Sequence, residues 1–189
     1  KRAWTFLSAG AWIWLFAQLI FAHYKIVLGI NVFPNLADLF FVLGYLPLFG
    51  GLIVLIFDFR STGLPMGGRT SYIVQALILI AIYSLMFFAW LKPLLLNNDE
   101  PVTKFLNFGY PTVDFLLVCV TSVLVRISWV LRGGSLAKAY IALGMSFILT
   151  GIGDLIFAYR PVPAVDMFFF SAYFVLGLAG FYQLRMMRQ

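Results

Sequence analysis

The sequence predicts an all-α polytopic membrane protein: six transmembrane helices, arranged as three repeated helical hairpins within one domain over residues 1–189. Three observations carry this. Hydrophobic residues make up 63% of the chain and charged residues 11%, against about 45–50% and about 25% in soluble domains. A soluble core of this size has no use for so much apolar side chain, so the surplus faces lipid. The apolar residues fall into six runs, each near the roughly 20 residues a spanning helix needs. Alternation of period two is missing, which argues against a β-barrel. With no water in the bilayer core, backbone groups must then be satisfied inside helices.

The six predicted spans cover residues 4–30, 36–57, 71–91, 111–131, 136–159 and 163–184. The first is too long for the core of a signal peptide and lacks a clear small-residue cleavage site, so it reads as a retained span. Asn31 to Asn35, with Pro34, breaks the first pair. Arg60 to Arg69, rich in glycine and holding Pro65, separates the second and third spans. The longest predicted break holds Lys92-Pro93, Asn97-Asn98-Asp99-Glu100-Pro101 and Lys104. Gly133-Gly134 and Arg160-Pro161-Val162-Pro163 mark the last two turns. The five Trp fall near span ends or on the first helix, where aromatic belts sit.

Charge sets the expected orientation. With six spans the termini share a side, and that side carries Lys1, Arg2, Arg60, Arg69, Arg126, Arg132, Lys138, Arg185 and Arg188. The other side carries Lys25, Lys92, Lys104 and Arg160. The positive-inside rule places both termini in the cytoplasm. Arg126 lies inside the fourth predicted span and would snorkel inward. The net charge of +6 belongs to this topology rather than to nucleic-acid binding.

Each hairpin is expected to turn on the outer side at a proline followed by an aspartate: Pro34 and Asp38, Pro111 and Asp114, Pro163 and Asp166. Two readings stay open. Structurally, proline suits the first helical position, and an acid in the first turn complements the helix dipole. Functionally, a carboxylate costs roughly 2.5–3.5 kcal/mol at the centre of a membrane helix on insertion scales, and three placed alike need a reason. Were the hairpins to pack around one axis, Asp38, Asp114 and Asp166 would gather near the outer surface with Asp154 of the fifth span. Such a pocket suits a cation, a proton or a polar head. Tyr45, Tyr110, Tyr159 and Tyr173 are possible companions, and His23 lies near the outer end of the first span, where it also suits an interfacial anchor.

The expected ligand-binding set is Asp38, Asp114, Asp154, Asp166, Tyr110, Tyr159 and His23. A single histidine without a second soft ligand argues against zinc, copper or bis-histidine haem, and the residues specify no cofactor. Cys119 stands alone inside an apolar run, so no internal disulfide forms, and it reads as a small apolar residue. No metalloprotease helix, nucleophile elbow, nucleotide loop or paired cysteine occurs. Gly63 and Gly67 have helix-dimer spacing but enclose Pro65 in a loop.

Three motifs carry a resemblance: Pro34 to Leu39, Tyr110 to Asp114, and Gly151-Ile152-Gly153-Asp154. In this order they resemble the amino-terminal membrane region that precedes the output domains of some bacterial diguanylate cyclases and sensor kinases. The resemblance implies a sensor that reads a signal from the outer side, with a soluble output domain after Gln189. A second resemblance covers one helix: Gly144 to Leu155 is similar to the Gly-Asp helix of lysoplasmalogenase-like lipid hydrolases. It implies intramembrane carboxylates that activate water. A third possibility is an accessory subunit of a larger membrane complex. The expectation we carry forward is a non-enzymatic sensory or ligand-binding domain. Its expected partners are membrane lipids and an output domain or partner membrane protein, with a homodimer also open.

Overall fold

A computed structural model describes residues 2–30, 32–63, 66–130, 134–160, 162 and 164–187, the side chains of Ser135 and Met187 excepted. Lys1, Arg132 and Arg188 of the charge count lie outside the described residues. So do Pro163 of the third Pro–Asp pair and the turn markers Asn31, Pro65, Gly133 and Pro161. Among the described residues there is no strand, and six helices are long and apolar enough to cross a membrane. They are α1 (Arg2–Val27), α2 (Leu36–Ser61), α3 (Arg69–Leu96), α4 (Pro101–Val130), α5 (Ser135–Tyr159) and α6 (Val165–Met187). The chain is an all-α polytopic membrane protein. It divides into two compact units, Lys1–Asp58 and Phe59–Gln189.

The first unit is the hairpin of α1 and α2. Both helices are apolar on every face, so the contact stripe is selected by side-chain size rather than by polarity. On α1 the buried residues are Ala3, Leu7, Gly10, Trp14 and Ala17, spaced alternately by four and three. That spacing keeps one seam turned to a neighbouring helix. On α2, Gly44, Leu48 and Gly51 form the opposing surface. A Cβ on Gly44 would lie 2.4 Å from Trp14 Cδ1, and one on Gly51 would lie 2.9 Å from the Ala3 carbonyl oxygen. The glycines are therefore slots. Trp14 fills the Gly44 slot, donates its indole N–H to the Phe41 carbonyl at 3.0 Å, and meets Tyr45 edge to face at 5.2 Å.

The start of α2 is a capping box. Asn35 Oδ1 accepts the Ala37 N–H at 2.7 Å, and Asp38 Oδ2 accepts the Asn35 N–H at 2.7 Å. Each side chain satisfies a backbone donor that the first turn would otherwise leave open in an apolar setting. Pro34 precedes this cap rather than opening the helix.

The second unit holds α3 to α6. Helix α5 packs against α4 on one side and α6 on the other. Consecutive helices run antiparallel: Gln75 of α3 meets Ser122 of α4, and Tyr83 meets Phe115. Two boundaries differ from the sequence expectation. Helix α4 begins at Pro101, ten residues before Pro111, which lies buried inside it. Pro101 takes the first-turn role where a missing N–H costs nothing. At Pro111 one backbone bond is lost, a defect membrane helices tolerate when neighbouring groups compensate. Asp114 therefore sits in the middle of a helix and not in a first turn.

The predicted break at Lys92-Pro93 is likewise helical. Over Phe87–Leu91 the helix widens into a single π turn, in which the Lys92 N–H bonds the Phe87 carbonyl. The chain thus passes Pro93 and continues to Leu96, leaving four residues, Asn97 to Glu100, between α3 and α4. The middle connection is not the long loop that its polar residues suggested.

Candidate functional site

Polar groups in the interior of α4 and α5 sort into two kinds. Most hydroxyls are answered by their own helix, the usual resolution for Ser and Thr in apolar surroundings. Thr121 Oγ1 donates to the Leu117 carbonyl at 2.8 Å, Ser128 Oγ to Val125 at 2.6 Å and Thr150 Oγ1 to Ser146 at 3.1 Å. Each of these hydroxyls is thus hydrogen-bonded within its own helix. The carboxylates are the other kind, because no helix backbone offers a buried acid a spare donor away from its N-terminus.

Asp114 of α4 is wholly buried, 0% exposed. It faces α5 at Gly151, where a Cβ would stand 3.2 Å from Asp114 Cβ. Three residues on, Asp154 projects from the same helix, half-buried. Between them Gly153 receives the Phe169 ring of α6, with a Cβ position 2.9 Å from Phe169 Cε1. The two glycines of Gly151-Ile152-Gly153-Asp154 thus admit α4 on one side and α6 on the other. On α6, Tyr173 lies four residues beyond Phe169 and so shares the face that Phe169 turns toward Gly153. Asp114, Asp154 and Tyr173 thus stand on three consecutive helices about the Gly151–Gly153 junction.

Asp166 is in the first turn of α6, two turns, or about 10 Å, before Tyr173 on the same helix. Tyr110 is half-buried on α4, one turn before Asp114. Tyr159 ends α5 and donates its hydroxyl to the Trp90 carbonyl in the π turn of α3, so it ties helix ends together. Asp38 and His23 belong to the first unit. Asp38 serves the capping box, and His23 is exposed at the start of the π turn that ends α1, where its carbonyl accepts the Leu28 N–H at 3.1 Å. Among the described residues no group of three or more His, Cys, Asp or Glu side chains is placed to hold a metal ion.

Sequence reasoning named Tyr173 only as one of four companion tyrosines. Nothing in the pattern separates it from Tyr45, Tyr110 or Tyr159, because its place depends on which face α6 turns to α5. It also missed Ser146, 1% exposed on α5, whose Oγ meets no hydrogen-bond partner among the described residues. Ser146, Thr150 and Asp154 recur at intervals of four and so share one face. Comparison with known proteins gives no match: no family model, curated protein or solved structure is significantly similar to this chain.

Proposed function

We propose that this chain is a non-enzymatic sensory or ligand-binding domain of a bacterial inner membrane. Both termini are cytoplasmic, and it reads a signal from the outer side or outer leaflet for a cytoplasmic output. One observation carries the reading: Asp114, wholly buried on α4, faces α5 at Gly151, one helical turn from the half-buried Asp154, inside a membrane bundle. Buried ionisable groups there cost several kcal/mol and mark pathways or binding sites by default. The glycines beside Asp154 bring α4 and α6 close to α5, so a change of charge at the cluster bears on all three helices at once.

The mechanism follows from that placement. Binding of a cation or protonation of the pair removes repulsion between Asp114 and Asp154 and alters how α6 seats on α5. Such a shift needs a ligand with different affinity for the two packings. The three-hairpin arrangement is part of this proposal. Its first and third members each have an acid in the opening helical turn, Asp38 and Asp166. The middle member has moved its acid inward by extending α4.

Spin labels at the exposed positions Leu116 and Phe174 report the α4–α6 separation beside the cluster. Between about pH 5 and about pH 8, or on adding sodium chloride, the distance is expected to shift by about 2 Å, the scale of helix movements in switching proteins. Asp154→Asn should remove the shift. A wild-type distance that ignores both variables contradicts the proposal.

A further inference from the structure

At the opposite end of the second unit, Arg126 is built into a corner. Its guanidinium carbon lies over the Tyr72 ring, 3.7 Å from the centroid. It donates to the Gly68 carbonyl at 3.1 Å and to Gln75 Oε1 at 3.3 Å. Gln75 in turn donates to Ser122 Oγ at 2.6 Å, and the Tyr72 hydroxyl to the Met66 carbonyl at 2.7 Å. Gly67 is obligatory here, with φ +98° and a Cβ position 2.8 Å from Arg126 Nη2. Arg126 thus does not snorkel into solvent as a loose chain. It is held against the Tyr72 ring, and among the described residues two of its five N–H donors are engaged.

The surroundings say what the remaining donors meet. Arg126 lies four residues, about 6 Å along the axis, before Val130 of α4, within an arginine side chain's reach of the headgroups in the six-span topology. Arg69, next in the chain to the Gly68 carbonyl that Arg126 grips, is exposed. Every acid on the spanning helices and turns of this unit lies in the other half: Asp99, Glu100, Asp114, Asp154 and Asp166. Running away from the corner, α3 has no buried residue between Arg69 and Met86, and Ile73, Leu77 and Ile80 stand 51%, 61% and 62% exposed. The anchored Arg126 and the exposed Arg69 therefore stand at the head of an exposed apolar helix face.

We propose that this corner binds the phosphate of an anionic phospholipid whose acyl chains lie along α3. Planar guanidinium groups match phosphate oxygens in pairs, and the apolar face supplies the surface that two acyl chains need. Charge decides against a second copy of this chain at the same place, because its equivalent corner is equally basic. The proposal is independent of the acidic cluster and stands or falls without it.

Native mass spectrometry of the whole chain, released from micelles doped with equal phosphatidylglycerol and phosphatidylcholine, tests it. Wild type should retain phosphatidylglycerol preferentially. Arg69→Ala and Arg126→Gln should each lower that retention roughly fivefold, the effect of one surface cation on anionic lipid. Lys138→Ala, an exposed cation elsewhere at that end, should leave it unchanged. Arg126 also braces α3 against α4, so Arg69→Ala carries the decision if Arg126→Gln does not fold. Equal retention of the two lipids overturns the proposal. So does wild-type retention by Arg69→Ala, an equal fall in Lys138→Ala, or displacement by millimolar inorganic phosphate.

Discussion

Gly44→Ala is expected to destabilise the first hairpin by about 1–3 kcal/mol, the usual cost of overfilling a packed contact. A further cost of about 1 kcal/mol follows if the Trp14 indole loses its bond to Phe41. The added methyl would stand 2.4 Å from Trp14 Cδ1 and 2.7 Å from Nε1, and a rigid indole has no flexible end to move aside. Gly50→Ala on the same helix is the control. Its Cβ would meet only Phe6 Cδ1, at an ordinary 3.7 Å. There the better helix propensity of alanine, worth up to about 1 kcal/mol, should leave stability equal or raised. Unfolding in mixed micelles, followed by tryptophan fluorescence, reads both. Equal effects at the two positions would mean that the Trp14 slot does not hold the hairpin.

Asp114→Asn should separate stability from function. The acid is fully buried in the middle of α4, and an ionised carboxylate at such depth costs several kcal/mol on insertion scales. The amide keeps the shape and removes the charge. Stability should therefore be unchanged or rise, on the order of 1–3 kcal/mol, as when buried charges are replaced by neutral groups. The response of the Leu116–Phe174 distance to pH and salt should vanish. A structural acid behaves oppositely: its loss would lower the unfolding midpoint sharply and leave any response in the surviving protein intact.

The membrane fold was open to reading because it rests on long-range averages. Six apolar runs and the scarcity of charge need no tertiary detail, and helix is the only form that satisfies their backbone in lipid. Local punctuation was less dependable. Pro111 and Pro93 resemble helix boundaries, yet both lie within helices, since a bilayer leaves the chain no competing water to bond its backbone. At Pro34 the punctuation marked a true boundary, because Asn35 and Asp38 supply a reciprocal cap. The acids were legible as unusual, and two members of the cluster, Asp114 and Asp154, were named from sequence. Their grouping with Tyr173 was not legible. It depends on Gly151 and Gly153 letting two helices approach a third, and the sequence says only that those glycines are small. Arg126 shows the same limit, for its partners Tyr72, Gln75 and Gly68 are more than fifty positions away in the chain.

The central claim is that Asp114, Asp154 and Tyr173 act as one ionisable unit. Infrared difference titration of isotope-labelled aspartate, in the intact chain within lipid nanodiscs, tests it most directly. Groups that interact strongly titrate as a set, with midpoints belonging to the pair. The account predicts that Asp154→Asn moves the Asp114 midpoint by about one pH unit or more, and that Tyr173→Phe moves both aspartates. An Asp114 midpoint indifferent to both substitutions would contradict it.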